Sequence, residues 1–217
     1  MTINESALGQ LSASFSNNIK TFKTDADTAI TAYVAKVNSI WCSPESKKIG
    51  GKIKNCLSKT DQFIAETWFD GTDSGINGVI STNVKNFNSV EKTGFEWTPV
   101  AFEEPQIANI EENIDEKFPD GHTGTREGAK ASDLDATFDA ITDAYVALFK
   151  NFTSTVDNTD AFSANQKSAL KSGFSSASSN LTKSMNAVKD SIHDVFGNKT
   201  SQQEELDSTN ATNAQGV

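Results

Sequence analysis

The sequence predicts a mainly α-helical chain: long antiparallel helical hairpins, two of them, an irregular Pro/Gly-containing linker between them, and a disordered C-terminal tail. Three observations predict this. Apolar residues recur at steps of three and four through residues 8–90 and again through 134–196, the period of a helix with one buried face. Pro99, Pro105 and Pro119 crowd with Gly94, Gly121, Gly124 and Gly128 into residues 94–130, where helix is repeatedly interrupted. Residues 198–217 are Ser, Thr, Asn, Gln and Glu with almost nothing to bury. The expected division is therefore 1–93, a helical hairpin with a Trp at its bend; 94–130, an irregular acidic linker or arm; 131–197, a second hairpin; and 198–217, the tail.

The first stripe runs Leu8, Leu11, Phe15, Ile19, Phe22, Ala26, Ile30, Tyr33, Val37 and Ile40, with Ser, Asn, Lys and Asp on the other face. Trp41 closes it. Cys42-Ser43-Pro44-Glu45 then reads as a break and a restart. Ser43 suits the N-cap, Pro44 the first helical position, and Glu45 the positive end of the helix dipole. The second helix carries Ile49, Ile53, Cys56, Leu57, Phe63, Ile64 and Trp68, and Gly71 and Gly75 mark a loop or kink over 70–75. Ile76, Val79, Ile80, Val84, Phe87 and Val90 resume the period.

In the linker, Phe95, Trp97, Val100 and Phe102 fit a short strand or an extended arm, 107–118 a short acidic helix, and 120–130 an exposed loop. The second hairpin follows Leu134, Phe138, Ile141, Tyr145, Leu148, Phe149 and Phe152. After a turn over 157–163 it continues through Leu170, Phe174, Leu181, Met185, Val188, Ile192 and Phe196, with Gly197 as a helix stop. Leu11, Phe15 and Phe22 stand at one constant offset from Leu134, Phe138 and Tyr145, a hint of duplication.

Composition excludes several functions. Nineteen basic against twenty-nine acidic residues leave a net charge of −10, which repels phosphate backbones and anionic membrane surfaces, so no nucleic acid is expected as a partner. No run approaches the roughly 18 apolar residues needed to cross a bilayer, so no membrane insertion is expected. The first residues lack a basic flank followed by an apolar run, so no signal peptide is expected either. If one helix joined them, Cys42 and Cys56 would stand at least about 18 Å apart, at ~1.5 Å per residue over 12 residues or more, and they read as free thiols.

No motif for catalysis, phosphate binding or metal binding stands out. His122 and His193 are the only histidines, neither in a neighbourhood that promises a nucleophile and an orienting partner. Two Cys and two distant His fall short of a zinc site. Asp70-Gly-Thr-Asp-Ser-Gly75 resembles the start of a calcium loop, but Thr72 at position three and Ser81 at position twelve replace ligands that such a loop needs. Glu103, Glu104, Glu111, Glu112, Asp115 and Glu116 read as a solvated acidic stretch. The expectation is a protein that is no enzyme and has no cofactor and no metal.

Residues 5–93 resemble the Trp-x-Gly (WXG) family of small helical-hairpin proteins exported by type VII secretion. Trp41-Cys42-Ser43 stands at the bend after a first helix of fitting length, with Ser43 where the family has Gly, and Ile40 and the apolar stripe beyond also fit. The resemblance implies a secreted or targeting module, exported without a signal peptide, that works through protein partners in a homo- or hetero-oligomer. The alternative is a bacteriophage virion protein of tail, neck or capsid, which an acidic, Ser/Thr/Asn-rich, long-helix chain also suits. Localisation is then cytoplasmic, secreted or in the virion. The bend and its packing rest on Ile40, Trp41, Ser43 and Pro44, and the candidate partner contacts are Phe95, Trp97 and Phe102, which can also serve as lids on the chain's own core.

Overall fold

A computed structural model of the chain describes residues 3–107 and 110–215, and side chains as far as Asn198. Five helices carry the fold: α1 (Glu5–Ile40), α2 (Pro44–Ile64), α3 (Ile76–Glu91), α4 (Asp135–Asp157) and α5 (Ala164–Gln215). Two short strands, β1 (Trp41–Cys42) and β2 (Gly124–Thr125), pair antiparallel with Trp41 opposite Thr125.

α1 starts at Asn4, whose side chain accepts a hydrogen bond from the Ala7 amide, and spans about 54 Å at ~1.5 Å per residue. Its apolar stripe is buried from Leu8 to Ile40. The helix that covers it is α4. Phe22 meets Tyr145 edge-on at 4.7 Å, Phe15 meets Phe152 at 5.7 Å and Tyr33 meets Phe138 at 5.8 Å. The partner's residue number falls as the α1 number rises, so the two helices are antiparallel.

α4 continues the ring to α5, antiparallel again: Lys171 pairs with Asp157 at 2.8 Å and Lys189 with Asp139 at 2.8 Å. α5 in turn packs on α2, and just beyond α2 Trp68 meets Phe174 at 4.7 Å. α1 and α2, joined at the bend, thus lie against different neighbours, α1 on α4 and α2 on α5. The seam left between them is filled by the arm.

That arm runs the length of the bundle. Near the N-terminal end of α1 the Ser12 hydroxyl donates to the Thr98 carbonyl. Midway, Phe102 stacks on Phe22 at 5.9 Å and Asp27 accepts from the Gln106 amide. Near the bend, Asn38 donates to the Asn113 carbonyl and accepts from the Asp115 amide. On the α2 side Lys54 pairs with Glu111 at 2.9 Å and Lys47 with Glu116 at 3.5 Å. A Cβ on Gly50 would stand 2.6 Å from Ile114 and 3.2 Å from the Glu111 backbone, so α2 presents a glycine where the arm crosses it. The arm then delivers β2 to β1 and the chain enters α4.

Two expectations are corrected. The acidic helix over 107–118 is absent among the described residues; 110–113 make turns. Ile107, Ile110, Ile114 and Phe118 are buried, and their spacing of three and four places plugs in the seam and not a helical stripe. Gly197 is a helical residue inside α5 and not its stop. The tail expected over 198–217 falls almost wholly outside the residues whose side chains are described. The hydrophobic core is continuous, drawing on α1 to α5 and the arm alike, so the segments expected as two hairpins share one interior.

The break after α2 follows expectation over 70–75, with a local device ahead of it. Residues Ala65–Phe69 form a π-helical turn, closed by the Asp70 amide donating to the Ala65 carbonyl at 2.8 Å. Widening the helix there lets adjacent Trp68 and Phe69 both be buried, Trp68 toward Phe149 and Phe174, Phe69 toward Phe15 and Phe152. Among the described residues, no helix is long and apolar enough to cross a membrane.

Candidate functional site

At the bend, Ser43 is the N-cap of α2. Its hydroxyl accepts from the Ser46 amide at 3.3 Å and the Ser46 hydroxyl accepts from the Ser43 amide at 3.2 Å. Pro44 follows at the first helical position. Ile40 is buried and its carbonyl accepts from the Arg126 amide. Trp41 has no exposed surface and meets Phe196 edge-on at 5.4 Å. Among the described residues its indole N–H has no hydrogen-bond partner. These four residues hold a corner together through capping and close packing.

Of the candidate partner contacts, Trp97 is buried and Phe95 and Phe102 are half-buried against the core, the lid role that the sequence also allowed. Phe102 lies between Phe22 and Phe69, and Phe95 stacks on Phe87 at 6.1 Å. Trp97 is buried and donates to Asn77 at 3.1 Å. Asn77 is itself buried and fully used: it also accepts from the Val100 amide and donates to the Phe69 and Val100 carbonyls. One side chain therefore ties α3, the π-helical turn and the arm together.

One ionisable group sits deep inside. Asp61 has no exposed surface, and its neighbours include Tyr145, whose hydroxyl donates to one carboxyl oxygen at 3.1 Å, while the other oxygen has no partner among the described residues. Burial raises its pKa to about 8, the Tyr145 hydrogen bond acts the other way, and the charge of Glu104 adds to the rise. Tyr145 is pushed well above its ordinary value by burial and then by Asp61. Asp61 lines none of the five cavities described among these residues.

The remaining reactive types are scattered. His122 is 80% exposed beside Asp120, in a loop held by Arg126, which pairs with Asp120 at 2.7 Å and lies over Phe118. His193 pairs with Asp135 at 2.8 Å, on the far helix pair. Cys42 and Cys56 are free, and burial raises both thiols. In the calcium-like stretch, the Thr72 hydroxyl donates to the Thr67 carbonyl, and a Cβ on Gly78 would overlap the Thr72 carbonyl, so the loop is pressed onto α3. Among the described residues no group of three His, Cys, Asp or Glu is placed to hold a metal ion.

What stands out on the surface is a groove on the outer side of the α2–α5 pair, with a volume of about 570 Å³. α2 contributes Lys52, Cys56, Lys59, Thr60 and Phe63; α5 contributes Gly173, Ser176, Ala177, Asn180, Leu181, Ser184 and Val188. Phe63 is 46% exposed, and Val90 is the other large apolar side chain left in solvent among the described residues. The Phe63 ring rests edge-on against Trp68 at 5.4 Å. Small residues along α5 leave the wall low: a Cβ on Gly173 would only reach ordinary contact with Trp68.

The sequence pattern placed Cys56 and Phe63 in the core stripe with Ile49, Ile53, Leu57 and Ile64. The structure separates them. Ile49, Ile53, Leu57, Asp61 and Ile64 face inward, and Lys52, Cys56, Lys59 and Phe63 line the groove. The signal was there as two interleaved series: steps of four, four, four and three hold the first, and steps of four, three and four the second. Scanning the chain against family models finds no match, and comparison with curated proteins and with solved structures finds none either.

Proposed function

We propose that this chain is a non-enzymatic binding protein that docks a protein partner in the groove between α2 and α5. The observation that carries the reading is Phe63, left 46% exposed on an apolar floor where, among the described residues, Val90 is the other large apolar side chain left in solvent. Covering the exposed half of such a ring contributes about 0.7–1.4 kcal/mol toward association. The separation of the two histidines and the closure of the core around Asp61 support a role without chemistry. The test is capture of a partner from the source cell by the wild-type chain and by Phe63→Glu. The reading requires loss of that partner with the helical fold retained; equal capture by both would remove the groove from consideration.

Within this reading we place the chain as a WXG-like secreted or targeting module of a type VII system. Support comes from Trp41 sealing a sharp helix-to-helix corner with a capped restart at Ser43. Accumulation in culture medium that depends on the membrane ATPase of such a system is the expected result. The alternative, a virion component, predicts instead that the chain co-purifies with phage particles.

A further inference from the structure

We infer that the partner element seated in the α2–α5 groove is an amphipathic helix bearing carboxylates about two turns apart, paired with Lys52 and Lys59. The inference rests on the groove reading above and adds the chemistry of the occupant. α2 carries Lys47, Lys48, Lys52, Lys54 and Lys59 against Glu45 and Asp61, a basic helix in a chain of net charge −10. The arm neutralises the face it crosses, through Glu116 on Lys47 and Glu111 on Lys54. Lys52 and Lys59 lie on the other face, on the groove, and neither pairs with a carboxylate among the described residues.

The dimensions fit a helix. Lys52 to Phe63 covers about 16 Å of α2 and Gly173 to Val188 about 22 Å of α5, at ~1.5 Å per residue, so three to four turns can lie along the groove. Gly173, Ser176 and Ala177 give a low wall, which permits the roughly 8–10 Å axial approach of packed helices. Lys52 and Lys59 are seven residues apart, about 10.5 Å, the spacing of one face of a facing helix over two turns. A second copy is the wrong occupant on charge: a two-fold contact would set the same lysines against each other, and each copy carries −10.

The test is a display library of 15-residue helical peptides with a fixed apolar stripe and randomised flanks, selected on the immobilised full chain and counter-selected on Phe63→Glu. Carboxylates should be enriched at two flank positions seven apart. Their binding should weaken about tenfold or more on the Lys52→Glu/Lys59→Glu double variant, and recover when those peptide carboxylates are exchanged for lysines. Phe63-dependent binders with neutral or basic flanks would overturn the charge inference and leave the groove standing. If no binder depends on Phe63, groove and inference fall together. Concentration-dependent dimers lost in Phe63→Glu, or capture of anionic vesicles lost in the double variant, would assign the surface to other occupants and overturn the inference. Both lysines are exposed, so the double variant should keep its fold, checked by circular dichroism.

Discussion

Replacing Asp61 by Asn probes the least comfortable group in the core. The carboxyl is fully buried, with one hydrogen bond from Tyr145 and one oxygen unpartnered, and its pKa rises from 3.8 to about 8. The sign follows directly. Between these two values the folded chain holds a proton that the unfolded chain has released, so stability falls as pH rises through the window. The contribution is greatest below pH 4 and is lost by pH 8. At about 1.36 kcal/mol per unit, four units amount to roughly 5 kcal/mol, and about 4 kcal/mol is already gone at pH 7. Asn keeps the shape and can accept from Tyr145, but its amide N–H groups lack acceptors, a pH-independent cost of about 1–3 kcal/mol. Urea unfolding of both proteins at pH 5, 6, 7 and 8, followed by Trp fluorescence, should give a difference that grows steadily in favour of the Asp61→Asn variant as pH rises. Asp120, held near 2 by Arg126, titrates below this window, and Lys189, raised by Asp139, above it. Parallel profiles for the two proteins would mean that Asp61 ionises in the fold as it does in water, and the account of its burial would be wrong.

Trp41→Ala should cost about 3–5 kcal/mol, because the ring is fully buried against Phe196 and the space cannot be refilled by the β1–β2 corner. A loss under about 1 kcal/mol in chemical unfolding would mean that the corner relaxes around the void. Gly9 and Gly78 should respond in opposite senses to Ala: Gly9 lies in α1 with nothing near its Cβ position and should gain about 0.5–1 kcal/mol, whereas Gly78 abuts the Thr72 carbonyl and should lose about 1–3 kcal/mol. Thermal melts of the pair decide it, and a stabilised Gly78→Ala would refute the close approach of loop and α3.

Most of the fold was legible because one face of each long helix is apolar, and burial enforces the period over many turns. The bend was legible too, since Ser43 and Pro44 each have a local reason to sit at a helix start. Local patterns say less about which helices touch. Nothing in the α1 stripe distinguishes α2 from α4 as its cover, and that choice depends on the seam being wide enough to admit the arm. The arm was misread for a related reason: Ile107, Ile110 and Ile114 keep helical spacing while serving as successive anchors of an irregular path. Phe95, Trp97 and Phe102 are as apolar as an interface residue must be, so the sequence left contact and lid both open, and the position of the arm sets Trp97 in the core with Phe95 and Phe102 half-buried against it.

Net charge likewise says little about individual faces. A total of −10 argues about the field far from the protein, where charges sum, but a partner at contact distance meets individual faces. Here the acidic arm and the basic α2 lie together, and Glu111 and Glu116 spend their charge on Lys54 and Lys47. That pairing fixes which face of α2 is neutral and which keeps its lysines. The seam that the arm fills is lost to any partner, and the α2–α5 side, with Phe63 beside two unpaired lysines and a wall of small residues, is what α2 has left to offer. The same segment thus completes the core on one side of α2 and, among the described residues, leaves Lys52 and Lys59 on the other without a carboxylate partner.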